Sequence, residues 1–164
     1  MNQTQNHLAR AEALLEPWLG KTERPAENRL DIWLSPDELL PVVATLVAGE
    51  WGYLAAITGL DPGLATGQLH VLYHFAEGAA IVTLRVALPR DAAEVPTIRP
   101  LIPLAAMYEQ ELIEVLGVTV VGAPERGRLF LADDWPAGVY PLRKEFRPEQ
   151  LDKESCLLYT SRCV

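Results

Sequence analysis

Three short apolar runs in the middle of the chain limit its fold more than any other feature. They occupy residues 53–60, 68–75 and 80–88, and turn-forming residues at 61–63 and 77–78 separate them. Apolar runs of this length that are joined by short turns pair as neighbouring antiparallel strands. The centre of the chain is therefore predicted to be an antiparallel sheet.

The second run indicates which face of this sheet is buried. Its side chains alternate, so that Leu69, Val71, Tyr73 and Phe75 point one way while His70, Leu72 and His74 point the other. The two histidines share a face, which would permit a metal pair in principle. Because no third ligand lies nearby in the sequence, an exposed polar face is the favoured interpretation.

Helical patterns flank the sheet on both sides in the sequence. Apolar residues at helical spacing predict a first helix over residues 7–19, and Ser35 and Pro36 are a favourable start for a second over 36–48. A third begins at Leu104. The remaining segments are predicted to be a loop (21–28), a strand (29–34), a proline-rich connector (89–103) and a short strand (118–121). This order predicts an α+β fold class, a two-layer domain with helices packed on a mainly antiparallel sheet.

Acidic side chains on the third helix are the first candidates for a functional site. Helical geometry places Glu109 inside the apolar arc and Glu111 on its rim, whereas Gln110 and Glu114 are predicted to face away. A carboxylate on an apolar face needs a cationic partner. Candidate partners, in this chain or in a neighbouring one, are Arg143, Lys144 and Arg128.

Glu109 and Glu111 could alternatively work as an acid and base, together with His74, in a free-standing enzyme. The two glutamates diverge on a helix, and no nucleophile stands beside them. Structural or interface pairing is therefore the favoured interpretation.

Residues 131–146 form a proline-stiffened segment that can be neither a helix nor an inner strand, because Pro136 and Pro141 lack amide donors. The segment nevertheless carries several large apolar side chains: Trp135, Val139, Tyr140, Leu142 and Phe146. It either folds back on its own domain or lies as an arm on another protein, with Arg143 and Lys144 making charged contacts around buried anchors. The arm is the favoured interpretation.

Charge and cysteine content exclude several classes of function. A formal net charge of -8 and a pI near 4.9 argue against a nucleic-acid surface. The most apolar run, 39–48, is too short to span a membrane and contains Pro41, and no signal peptide is evident, so a cytoplasmic location is expected. The only cysteines, Cys156 and Cys163, form no metal-binding pattern. No metal or iron–sulfur cluster is expected in this chain.

Two motifs in sequence order resemble a known family. Asp-Asp-Trp at 133–135 followed by Pro-Leu-Arg-Lys-Glu-Phe at 141–146 is similar to the C-terminal signature of the small peripheral-arm subunit of NADH-quinone oxidoreductase. That enzyme is respiratory complex I, and the family of this small subunit has relatives in membrane-bound nickel–iron hydrogenases. The segment 108–118 resembles the family's Tyr-Glu-Arg-Glu helix and the turn that follows it.

The resemblance implies one mixed sheet packed by helices and a non-catalytic structural subunit that binds no cofactor. NADH, quinone and iron–sulfur clusters, or a nickel–iron site, would then belong to partner subunits. The implied partner is the quinone-site subunit or a hydrogenase large subunit, beside neighbouring iron–sulfur subunits on the inner face of the membrane. The residues predicted to form the partner interface are Glu109, Glu111, Asp133, Asp134, Trp135, Pro141, Leu142, Arg143, Lys144 and Phe146.

Three positions depart from the respiratory pattern of this family. Gln110 and Gly127 stand where the family usually has arginine, and Ala123 stands where it has histidine. Loss of two cations and a histidine is more expected in a hydrogenase-type or other divergent branch. The equivalent subunit of a membrane-bound nickel–iron hydrogenase is therefore the alternative function.

The predicted organisation has three parts. Residues 1–131 form the α+β domain, residues 132–150 form the extended C-terminal docking arm, and residues 151–164 form a tail. The sequence after Ser155 resembles the translated end of a sequencing-library adapter. The tail is therefore expected to be disordered or not native to the protein.

Overall fold

The structure, a computed structural model, describes residues 2–125 and 127–151 and is built on a five-stranded sheet. The strands are β1 Thr22–Ala26, β2 Arg29–Leu34, β3 Tyr53–Leu60, β4 Gln68–Glu77 and β5 Ala80–Pro89. The helices are α1 Gln3–Leu14, α2 Pro36–Ala48 and α3 Ala105–Leu116. Two further strands, β6 Glu94–Pro96 and β7 Thr119–Val121, form a separate parallel pair. The tail predicted over 151–164 lies, apart from Leu151, outside the described residues.

The sheet is mixed and mainly antiparallel, as predicted. Its strand order is β1-β2-β5-β4-β3, so that β3, β4 and β5 form the antiparallel meander expected from the three apolar runs. The pair β2–β5 is parallel, because the chain crosses over through α2 and the meander before it returns beside β2. The α+β fold class is confirmed.

One face of the sheet carries the core and packs against all three helices. The alternation in β4 is confirmed, since Leu69, Val71 and Tyr73 are fully buried in this core. Trp51, in the short link between α2 and β3, is also buried, and its Nε1 donates to the His7 carbonyl of α1 at 2.9 Å. A buried indole N–H needs such an acceptor. The contact therefore fastens α1 to the rest of the core.

The predicted boundaries of α2 are confirmed, and local chemistry explains them. The Glu38 carboxylate accepts the N–H of Ser35 at 2.8 Å, which satisfies a donor at the start of the helix. At the other end the N–H of Gly49 donates to the Thr45 carbonyl. These signals are local, and for this reason the sequence alone reveals them.

Two predictions for the N-terminal region were wrong. The loop predicted over 21–28 contains β1, an edge strand whose residues are all exposed and which therefore shows no apolar alternation. Pro25 is tolerated there because an edge strand needs no donor on its outer side. The first helix begins at Gln3, where the Asn2 side chain caps it, and it ends at Leu14, before Pro17.

Gly52, directly before β3, should be irreplaceable for stability. Its φ is +58°, and an added Cβ would lie 2.2 Å from the Ala76 carbonyl oxygen of β4. We expect Gly52→Ala to lower the free energy of unfolding by about 2 kcal/mol or more, from left-handed strain and backbone collision. Chemical denaturation measures this. Gly20→Ala is the matched control, since an added Cβ there meets nothing within 4 Å; equal losses in both variants would contradict the expectation.

Candidate docking site

The C-terminal arm (132–150) is held against the domain by both backbone and side-chain contacts. Apart from one turn of 3-10 helix at Pro148–Gln150, its described residues form neither helix nor strand, in keeping with the prolines and Gly138. Turns inside the arm satisfy several of its backbone donors, such as the N–H of Trp135, which donates to the Ala132 carbonyl at 3.0 Å. Three groups of contacts, directly before the arm, at its middle and near its end, attach it to the domain.

The entry into the arm is fixed by Glu114 of α3. Its carboxylate accepts the backbone N–H groups of Leu129, Phe130 and Leu131 at 2.7, 2.8 and 2.9 Å, and the Gln110 side chain at 2.8 Å. Burial opposes ionisation of Glu114, but these hydrogen bonds together lower its pKa below the ordinary value. Glu114 is thus a buried anion that holds three consecutive amides.

Gln110 and Glu114, which were predicted to face away from the apolar arc of the helix, are both buried, against the chain that follows α3. A helical projection recognises only one apolar face, and nothing in the sequence shows that the later chain returns over the other side. In the sequence, Gln110 stands out only as a departure from the family pattern. Its amide contact with Glu114 gives that departure a structural role.

The middle of the arm covers the C-terminal end of α3. The N–H of Leu142 donates to the Val115 carbonyl at 3.0 Å, and Nε of Arg143 donates to the Leu116 carbonyl at 2.8 Å. These carbonyls have no partner within the helix. The Tyr140 ring lies so close to Gly117 that an added Cβ would be 2.3 Å from it. Glycine at 117 is thus required both for its φ of +67° and for the packing of the tyrosine.

The far end of the arm is fixed by Asp61, which follows β3. Its carboxylate accepts both guanidinium NH groups of Arg90, at 2.7 and 2.6 Å, and the backbone N–H of Lys144 at 2.7 Å. Arg90 also contacts Glu145 of the arm. The Arg90 hydrogen bonds hold the pKa of Asp61 far below its usual range despite burial, aided by the N–H groups of Lys144 and Gly63. Neither Asp61 nor Arg90 was a sequence candidate.

The arm nevertheless presents apolar side chains to solvent. Leu142 in its middle is 56% exposed, and Leu129 and Phe130, directly before the arm, are 57 and 45% exposed. Trp135 and Phe146 are half-buried and stack with ring centroids 6.1 Å apart. The segment thus folds back on its own domain, as one of the two interpretations expected, and the other, an arm on another protein, stays a prediction.

The predicted interface residues fall into separate environments. Asp133, Asp134, Leu142 and Lys144 are exposed, while Glu111, Trp135, Pro141, Arg143 and Phe146 are half-buried and Glu109 is buried. Arg143 is committed to the end of α3, and Lys144 contributes its backbone N–H to Asp61. Their role at a partner interface remains a prediction.

Glu109 is paired within the domain, with a residue that sequence reasoning missed. Its carboxylate accepts Nε of Arg99 at 2.6 Å, the Thr97 hydroxyl at 2.8 Å and the Ile98 N–H at 2.8 Å. The cationic partners expected from the sequence, Arg143, Lys144 and Arg128, do not pair with it in the described part of the chain. Those three cations all lie downstream of α3, whereas the proline-rich connector upstream folds over the start of the helix.

The residues of the enzyme alternative are not brought together. His74 points away from the core face and shares a hydrogen bond of 3.1 Å with Thr83, whereas Glu109 is buried at α3. His70 packs edge-on against Trp33. Within 2–125 and 127–151, no cluster of three or more histidine, cysteine or acidic residues could hold a metal ion.

No helix among the described residues is long and apolar enough to cross a membrane.

Comparisons with known proteins agree with the resemblance noted in the sequence. Residues 32–151 match the model of a family described as respiratory-chain NADH dehydrogenase, 30 Kd subunit. The chain is 31% identical over 135 residues to hydrogenase-4 component G of Escherichia coli (strain K12), a match that covers 80% of this chain and 24% of that protein. It is 30% identical over 119 residues to an NADH-quinone oxidoreductase subunit of Nocardioides sp., covering 69% and 47%. The chain thus spans a quarter to a half of these relatives.

The fold also occurs in a solved structure of an archaeal respiratory membrane complex, the membrane-bound sulfane sulfur reductase. The similarity has a TM-score of 0.73 at 22% identity and covers 94% of this chain and 91% of the other. At that identity the likeness concerns the fold alone.

Removing the charge of Glu114 should loosen the arm. We expect Glu114→Gln to lower the free energy of unfolding by about 2 kcal/mol, because an amide accepts fewer hydrogen bonds from the three N–H groups. The matched control is Glu111→Gln on the same helix, since Glu111 makes no hydrogen bond among the described residues. Amide hydrogen exchange at 129–131 should accelerate only in Glu114→Gln; unchanged exchange there would contradict the assigned role.

Acid should remove the same stabilisation. Because the pKa of Glu114 is lower in the folded state, its ionised form stabilises the fold above the unfolded-state pKa of about 4, and this contribution is lost as pH falls through the folded-state value. The difference in unfolding free energy between wild type and Glu114→Gln should therefore be full at pH 6 and shrink below about pH 4. A difference that is constant down to pH 3 would exclude this linkage.

Proposed function

The chain belongs to the family of the 30 Kd subunit of respiratory-chain NADH dehydrogenase, and on that premise we propose that it is a non-catalytic structural subunit of a complex I-like NADH-quinone oxidoreductase. It docks through its arm on the quinone-site subunit and so supports electron transfer from NADH to quinone. The observation that carries this proposal is that the arm is bound to the domain while Leu142, and Leu129 and Phe130 directly before the arm, remain exposed.

An arm that is already held in place is suited to binding. Association costs the free energy of ordering flexible segments, and a pre-positioned segment avoids most of that cost. Leu129, Phe130 and Leu142 are each about half exposed. Covering what remains exposed would contribute roughly 1 kcal/mol per side chain, or about 3 kcal/mol in all. Asp133, Asp134 and Lys144 are exposed in the same part of the chain, and apolar anchors accompanied by polar groups are typical of a protein interface.

The proposed structural subunit has no active site and binds no cofactor of its own. Its buried charged groups are engaged in structural contacts: Glu109 with Arg99, Asp61 with Arg90, and Glu114 with backbone amides. In this proposal NADH, quinone and the iron–sulfur clusters are bound by partner subunits. The complex would place this chain on the inner face of the cell membrane, attached only through those partners.

A membrane-bound nickel–iron hydrogenase is the second candidate assembly. It is favoured by the similarity to hydrogenase-4 component G over 80% of the chain and by Gln110, an uncharged side chain where the respiratory pattern has arginine. The partner would then be a hydrogenase large subunit. Identification of the recovered partner discriminates the two candidates, because nickel-binding cysteines occur only in the hydrogenase partner.

A charge placed on the exposed part of the arm should block assembly without unfolding the domain. Leu142 is 56% exposed, so we expect Leu142→Glu to change the melting temperature of the isolated chain by less than about 2 °C. Recovery of the quinone-site or large subunit with a tagged chain should fall at least about tenfold, because a carboxylate would be buried without a partner.

The matched control is Leu64→Glu, at an exposed leucine in the turn between β3 and β4. It should leave recovery of the partner unchanged. If Leu142→Glu assembled as well as wild type, or if both variants failed equally, docking through the arm would be refuted.

A further inference from the structure

A second apolar surface lies at the other end of the α3–β3 pair from the arm. It is formed by Val47 at the end of α2, Tyr53 at the start of β3, and Leu104 and Met107 at the start of α3. These side chains are 42, 66, 57 and 55% exposed. We call these four residues, with the groove that Val47, Tyr53 and Leu104 line, the β3-edge surface. Single exposed apolar residues are ordinary, but a contiguous group of large ones marks an interaction site.

The groove of this surface has a volume of about 460 Å³. Its floor includes the buried side chains of Trp51, Leu54 and Phe75, and its far wall is the connector at 101–103. Leu104 belongs to both the groove and the exposed face of α3. Side chains of a partner can therefore enter the groove without any rearrangement of the core.

The groove opens at a free sheet edge. β3 is the last strand in the order and pairs only with β4, so every second backbone N–H and C=O along its eight residues points away from the sheet. The strand contains no charged residue and no proline, which usually protect such edges. Among the described residues one edge contact is evident, from the Tyr108 hydroxyl to the Ala55 carbonyl at 3.0 Å.

Carboxylates border the same surface. Glu111 lies one helical turn beyond Met107 and Tyr108 on α3, and Glu50 lines the groove. Neither carboxylate forms an ion pair within residues 2–125 and 127–151. Arg10, which reaches the backbone carbonyls of Gly49 and Glu50, is itself paired with Glu77. The border of the groove therefore carries two negative charges that no cation pairs with among the described residues.

We propose that the β3-edge surface binds an extended segment of a second partner polypeptide, separate from the contact made by the arm. The main chain of this segment lies along β3, its apolar side chains fill the groove, and a lysine or arginine meets Glu111 or Glu50. The free edge selects an extended peptide, because strand addition satisfies the outward backbone groups. A second copy of this chain fits poorly, since both copies carry a net charge of -8 and would bring the same acidic border together.

Site-specific cross-linking of the full chain within its assembly tests this proposal. Tyr53 is replaced by photoreactive p-benzoylphenylalanine, with Leu64 as the exposed control position and Leu142 as the reporter for the arm. We expect position 53 to link to a stretch of another subunit that is apolar and contains a lysine or arginine, and position 64 to give no such product. The proposal would be overturned if position 53 linked only within this chain or only to a second copy of it. It would also be overturned if position 53 gave no product while position 142 did.

Hydrogen exchange on the unmodified chain provides a second measurement that needs no variant. Exchange of the amides at 53–60 should be at least tenfold slower in the purified assembly than in the isolated chain. Met107→Glu should reduce this protection but leave the cross-linked products from position 142 unchanged. Equal exchange over β3 in both states would overturn the proposal. If position 142 gave no cross-link while the amides at 53–60 were protected, only the proposal of docking through the arm would be refuted.

Discussion

A buried carboxylate must be surrounded by hydrogen-bond donors, and this requirement fixes the path of the whole C-terminal part of the chain. Glu114 obtains its donors from three consecutive amides ahead of the arm, and Asp61 obtains them from Arg90 and from the arm near its end. Between them the arm closes over the last carbonyls of α3.

This arrangement leaves the two sides of the arm in different environments. Its backbone donates to the domain at Leu142 and Lys144, while the Leu142 side chain is 56% exposed. A flexible tail carrying the same residues would lose much of its binding free energy in becoming ordered.

The pair formed by α3 and β3 connects both exposed surfaces. The two elements approach so closely at Gly59 that an added Cβ would lie 1.9 Å from Leu116. The arm contacts the C-terminal ends of both elements, at Asp61 and Gly117. The β3-edge surface lies at their N-terminal ends, around Tyr53 and Leu104. A change in the packing of this one helix on this one strand would therefore disturb both surfaces together, although they lie at opposite ends.

The sequence by itself determined the elements that periodicity and end signals specify: the meander of β3, β4 and β5, the helix α2 with its Ser35 start, the helix α3, and the irregular arm. It also carried the motifs that identify the family. Only the tertiary structure decided that β1 is a strand, that Arg99 neutralises Glu109, and that Glu114 is buried. The physical reason is the same in each case. Alternation and helical projection predict only how one element packs against the core. These features depend instead on hydrogen-bond donors and acceptors from distant segments, and such contacts produce no periodic pattern in the sequence.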